Sequence, residues 1–156
     1  MSADRAAPRL RAAAPEDAPR LRAIARSAYE KYVPRIGLEP WPMRADYAAA
    51  IAAGRVVVIE AEGAVVGYMV AWPEPDAYFV DNIAVDPARQ GMGAGRRLID
   101  HAVREARCHG LSALRLYTHV TMHENLAMYA HMGFVETHRA TEHGLDRVFM
   151  RWDLPA

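Results

Sequence analysis

Gln90-Gly91-Met92-Gly93-Ala94-Gly95-Arg96 lies where an extended apolar run, Tyr78 to Val85, gives way to a helical pattern. Its chemistry is that of an anion site. Glycine at alternate positions lets bare backbone N–H groups crowd together and face outward, and the first turn of the following helix adds unpaired N–H groups and the positive end of its dipole. Such a cradle fits a doubly charged anion such as a pyrophosphate, so a phosphate-bearing cofactor is expected here. Two familiar phosphate loops fail on spelling. A dinucleotide fingerprint counted from Gly91 and Gly93 would need its third glycine at Arg96, and no Gly-Lys pair exists for a P-loop.

The spelling that does fit is Q/R-x-x-G-x-G/A, filled by Gln90, Gly93 and Gly95 and preceded by Ile83-Ala84-Val85-Asp86-Pro87. It resembles the acyl-CoA loop of the GNAT N-acetyltransferase family. An ordinary glycine-rich turn opening a helix is the alternative that spacing alone leaves open. A second segment, Glu124 to Phe134, resembles the family's stretch before its last hairpin, where a helix tyrosine precedes Gly-Phe.

The resemblance implies acetyl-CoA as co-substrate and direct attack of a primary amine on its thioester in a ternary complex. It implies that residues 90–96 hold the pyrophosphate and that the backbone of Ile83, Ala84 and Val85 pairs with the pantetheine amides. It makes Tyr129 the general acid for the departing thiolate. A phenol with an ordinary pKa near 10 stays protonated at neutral pH and can make that donation. Many family members carry asparagine seven residues before this tyrosine, where this chain has Met122. Asn125, four before it, either reaches the cofactor arm or caps its helix. The rival class is a catalytically idle CoA-sensing or partner-binding module on the same scaffold, which the presence of Tyr129 disfavours.

The acceptor side is less marked. Tyr32, Trp41, Asp81 and His119 are the candidate substrate residues. Tyr29, Ile36 and Tyr47 offer further apolar surface, and Glu39, Glu74 and Asp76 offer charge for a cationic amine. An incoming ammonium must lose a proton, for which Asp81, His119, His123 or a water relay could serve. No metal is expected. His123-Glu124-Asn125-Leu126-Ala127 misses the second histidine of H-E-x-x-H, and His131, His138 and His143 have no compact ligand spacing. The acceptor is expected to be a small-molecule or peptide amine. Zero formal net charge argues against nucleic acid, and no apolar run reaches the roughly 18 residues that span a bilayer. The lone Cys108 and a start without a signal-like segment point to a cytoplasmic protein, and the resemblance implies a possible homodimer.

These residues need elements to position them. Leu10 to Ala14 reads as a strand and Asp17 to Tyr32 as a helix, with Leu21, Ile24, Ala25 and Ala28 on one face. Pro34, Gly37, Pro40 and Pro42 break the pattern into a long loop before a helix over Arg44 to Ala53. Val56 to Ala61, Val65 to Trp72 and Ala77 to Val85 form a meander hinged at Glu62-Gly63. A helix from Gly93 to His109, a strand at Leu114 to Thr118, a helix at His123 to Met132 and a closing hairpin complete the chain. This order is α+β, one domain over residues 1–156 with a flexible lead over 1–8. The order too resembles the GNAT fold, implying a mixed central sheet of about seven strands flanked by about four helices.

Overall fold

The computed structural model describes residues 7–156, and most of the lead expected to be flexible lies outside them. Seven strands form one sheet: β1 (Arg9–Ala12), β2 (Val56–Ala61), β3 (Ala64–Pro73), β4 (Tyr78–Val85), β5 (Ala113–His119), β6 (Val135–Glu142) and β7 (Leu145–Asp153). Their order across the sheet is β1-β2-β3-β4-β5-β7-β6. Every neighbouring pair is antiparallel except β4 and β5, which are parallel and meet only at Tyr78–Leu114 and Phe79–Arg115. Beyond those positions the two central strands part, and a cleft opens along the second half of β4.

Helices α1 (Ala18–Tyr29), α3 (Tyr47–Ala52), α4 (Ala94–Cys108) and α5 (His123–Met132) flank the sheet, with α2 (Val33–Ile36) a single turn. Leu98, Ile99, Ala102 and Ala106 recur at helical spacing on α4 and are fully buried against one face of the sheet. Leu21, Ile24 and Ala25 of α1 are likewise buried against the other face. The hairpin turns Glu62-Gly63 and His143-Gly144 have positive φ at both central positions, the geometry that matches the twist of the strands they join.

The structure departs from expectation between α1 and α3. The helix expected to run to Tyr32 tightens into a 3-10 turn at Glu30–Tyr32 and then resumes as α2 rather than ending at Pro34. Pro34 sits in the first turn of α2, where a missing N–H costs no hydrogen bond. The next helix starts at Tyr47 instead of Arg44 because Asp46 caps it, its carboxylate accepting the Ala49 N–H at 3.0 Å. A β-bulge interrupts the β3–β4 pairing: Val70 faces Asn82 and Ala71 faces Val80, leaving Asp81 as the extra residue. The bulge turns two successive polar side chains, Asp81 and Asn82, towards the α1–α3 side. No helix among the described residues is long and apolar enough to cross a membrane.

Candidate functional site

Asp86 anchors the start of the glycine loop. Its carboxylate accepts the Ala88 N–H at 3.0 Å and the Arg20 guanidinium at 2.8 Å, which holds it below the usual carboxylate range. The loop then turns through Gly91 and Gly93, with φ of +91° and +79°. A side chain is strained in this left-handed region, so glycine is required by the backbone itself. Gly93 caps α4, and the first helical bond is that from the Arg97 N–H to the Gly93 carbonyl at 3.0 Å. The N–H groups of residues 91–96 have no partner among the described residues. Six successive free donors thus stand at the positive end of a 15-residue helix, the arrangement that suits an anion.

These donors edge a cavity of about 430 Å³. Gln90, Gly91, Gly93, Ala94, Gly95 and Arg96 form one wall, Ile83, Ala84 and Val85 a second, and Asn125, Met128 and Tyr129 of α5 a third. Met92 is exposed and lines none of it. Tyr32 is on this side too, although it was expected on the acceptor side; it is buried, and its hydroxyl donates to Asn125 Oδ1 at 3.4 Å. Burial, with Glu124 nearby, pushes the Tyr32 phenol up to about 12.

The register of β4 decides which backbone groups face the cleft. Asp86 gives its N–H to the Val66 carbonyl at 2.8 Å, so Ala84, two residues before it, turns its polar groups to β3 as well. Ile83 and Val85 therefore direct theirs into the cleft. The Ile83 carbonyl is already engaged there, accepting the buried Tyr29 hydroxyl at 2.9 Å. Asn125 does not cap α5, since Met122 holds the cap position and no side chain closes it. The Asn125 amide instead contacts Met122 Sδ at 3.8 Å while its carbonyl faces Tyr32.

A second, smaller cavity of about 60 Å³ adjoins the first, and Tyr29, Ile83, Asn125 and Tyr129 line both. Trp41, Asp81 and His119, expected on the acceptor side, line this smaller one. A cleft with a phosphate cradle at one end and a second chamber at the other, between splayed parallel strands, suits a long thioester met by a second substrate. The sequence profile of the acetyltransferase (GNAT) family matches residues 18–134, which take in the cleft, the loop and α5. The chain belongs to this family.

The GNAT fold recurs in solved structures. The PaiA N-acetyltransferase of Thermoplasma acidophilum, crystallised with coenzyme A, aligns at a TM-score of 0.78 with 18% identity, covering 94% of this chain and 98% of that one. The ribosomal-protein-S18-alanine N-acetyltransferase of Escherichia coli aligns at 0.75 with 20% identity, covering 96% and 95%. In sequence, the L-2,4-diaminobutyric acid acetyltransferase of Nocardia farcinica is 35% identical over 80 residues, 49% of this chain and 42% of that protein. The match thus spans under half the length of that relative.

Within this GNAT cleft, Tyr129 is buried, and its ring packs edge-on against Phe134 at 5.6 Å between centroids. Its hydroxyl has no hydrogen-bond partner among the described residues yet is not sealed from the cavities. Desolvation raises its pKa above the usual phenol value. Asp81 is half-buried on the bulge. Desolvation raises its pKa, opposed by a hydrogen bond with the Trp41 side chain and by the charges of Arg147 and Arg55.

Burial lowers the His119 pKa, but its geometry limits it as a base. Its Nδ1 accepts the Thr121 N–H at 3.1 Å, so the neutral ring carries its proton on Nε2 and has no spare lone pair to offer. His123 is exposed and lines neither cavity. The acids expected to draw in an amine are occupied elsewhere: Glu39 pairs with Arg26 at 4.0 Å, Asp76 with Arg151 at 3.7 Å, and Glu74 with Arg115. None of the three lines the smaller cavity.

Sequence reasoning missed the support beneath Asp81. The Tyr68 hydroxyl donates to Asn82 Oδ1 at 3.0 Å, the Asn82 amide donates to the Tyr47 hydroxyl at 2.8 Å, and Tyr47 donates to the Pro42 carbonyl at 2.5 Å. The two tyrosine oxygens lie 2.7 Å apart. This buried network ties the bulge to the loop that carries Trp41. Two adjacent polar residues within an otherwise apolar strand were the available signal, since plain alternation would have buried one and exposed the other.

Proposed function

We propose that this protein is an acetyl-CoA-dependent N-acetyltransferase that acetylates a primary amine within a ternary complex, with Tyr129 as general acid. The observation that carries the reading is the unpartnered Tyr129 hydroxyl at the junction of the two cavities. Acetyl-CoA supplies an activated acetyl thioester. The free N–H groups of residues 91–96 hold its pyrophosphate, and the cleft-facing Ile83 N–H and Val85 backbone take the pantetheine amides as an added strand would.

The amine enters the smaller cavity as an ammonium and gives a proton to Asp81, whose raised pKa suits that exchange. Its nitrogen attacks the thioester carbonyl carbon. The C–N bond forms, the C–S bond breaks, and the sulfur takes the Tyr129 hydroxyl proton. Solvent then returns a proton to Tyr129, removes the one on Asp81 and takes the surplus proton of the acylated nitrogen, leaving the N-acetyl product and CoA thiol. Desolvation raises the Tyr129 phenol above its usual value, so it is protonated at neutral pH when the thiolate forms. Direct transfer agrees with the place of the single cysteine: Cys108 is exposed at the end of α4 and lines neither cavity.

The Nocardia relative is named for a diamino acid, which is one such primary amine. The test is CoA-thiol release from acetyl-CoA across a panel of amines, beside calorimetric titration with CoA. Amine-dependent release and measurable CoA binding are expected. Binding without release in every case would leave a CoA-sensing module, and absence of both would end the reading.

A further inference from the structure

A third cavity, of about 510 Å³, opens on the α3 side of the sheet and shares Trp41, Asp81, Asn82, Tyr117 and Arg147 with the small chamber beside Tyr129. The shared walls make the two cavities neighbours, so the larger one lies in line with that chamber from the α3 side. Its charged groups are not equivalent. Asp46 is committed to capping α3, and Arg147 to Glu142 at 2.7 Å while it stacks over Tyr117 at 4.4 Å. Arg55 has no carboxylate partner among the described residues. Its guanidinium lies over the Trp72 ring at 4.3 Å.

The Arg55 backbone is fixed on both sides, its N–H donating to the Ala50 carbonyl at 3.1 Å and its carbonyl accepting the Ala71 N–H at 3.0 Å. Stacking uses the face of a guanidinium and leaves its edge of N–H donors free. A pre-ordered, unpaired edge of this kind is matched by a carboxylate, which it grips with two parallel bonds. The inner end of the same passage carries Asp81, which suits an ammonium. The passage is thus negative inside and positive at the rim, with Trp41 and Tyr117 as aromatic walls between.

We propose that the acceptor is a free amino acid, its amine directed inward to Asp81 and its carboxylate held at the rim by Arg55. This rests on the acetyltransferase reading and narrows it. A peptide N-terminus, which has an amide where a free amino acid has its carboxylate, would leave the Arg55 edge without an anion.

Matched sets test it on the full chain: lysine, lysinamide and cadaverine, and tryptophan, tryptophanamide and tryptamine, each followed by CoA-thiol release. Within a set, kcat/KM for the acid is expected to exceed that for the amide and the amine by about tenfold or more, the usual scale of a charged hydrogen-bonded pair. Arg55→Ala should bring that ratio to near one by raising KM for the acid, and Arg55→Lys, which keeps charge but loses the fork, should give an intermediate ratio. Amides or amines used as well as acids by the unaltered protein would overturn the proposal. So would an Arg55→Ala loss shared equally by all three. Absence of thiol release with every compound would instead overturn the acetyltransferase reading, and this inference with it.

Discussion

The two ends of the cleft are built from different materials. The cofactor end is mostly backbone: six free N–H groups at the start of α4 and the outward edge of β4 at Ile83 and Val85. The acceptor end is mostly side chain, with Asp81, Trp41, Tyr117 and Arg147 brought in from four segments and braced by Tyr47, Tyr68 and Asn82. Unpaired donors at the first end leave binding free energy available for a ligand. Paired hydroxyls at the second hold a shape and decide which ligand fits. A backbone-built end suits a constant co-substrate, whereas a side-chain-built end can be altered one residue at a time.

Mutations should keep the two ends apart, except where Tyr129 joins them. Tyr129→Phe is expected to lower kcat by about 100-fold or more, the usual scale for losing a positioned acid, while CoA affinity holds. Stopped turnover assays and calorimetry check the two halves of that statement. Gly93→Val should weaken CoA binding about tenfold or more and cost about 1–3 kcal/mol of stability, because valine is strained at φ of +79° and relieving that strain shifts the adjoining free donors. Acceptor KM in that variant should barely move; a shift as large as that in CoA affinity would erase the distinction between the ends.

Asn82→Leu tests the other half. It leaves the Tyr47 and Tyr68 hydroxyls short of partners, costing about 1–3 kcal/mol in a denaturant melt. Acceptor KM should rise with CoA affinity unchanged. The smallest expected effect is on stability in Asp81→Asn. Burial raises the Asp81 pKa above the ordinary 3.8, so the ionised carboxylate opposes folding. Its neutral form is fully present below 3.8, and that favourable contribution is lost as pH rises through the raised value. The variant should therefore melt higher than the parent near pH 7 and gain less near pH 4. It should also lose the ascending acid limb of the kcat/KM profile.

Much of the cofactor end was legible in the chain because its signals are local. Glycine at 91 and 93 marks backbone with positive φ, and the apolar spacing after Gly93 marks a helix start, so loop and helix could be joined without any long-range contact. The acceptor end depends on contacts between distant segments. Tyr32 looked like an acceptor residue but lines the larger cavity, where its hydroxyl reaches Asn125 of α5. His119 was one of several candidate bases, and the Thr121 N–H occupies its Nδ1 lone pair. Arg55 carried no local mark at all, and its place over Trp72 follows from the pairing of β2 with β3.

The amino-acid order by itself determined where the glycine loop lies, which strand and helix flank it, and the α+β course of the chain. Each depends on interactions within a few residues, which spacing records. Only the tertiary structure decided that β4 and β5 part after two paired positions, that Asp81 stands on a bulge, and that two cavities meet at Tyr129. Those outcomes are set by packing among segments far apart in the chain, where volume and hydrogen-bond pairing, rather than local pattern, select the arrangement.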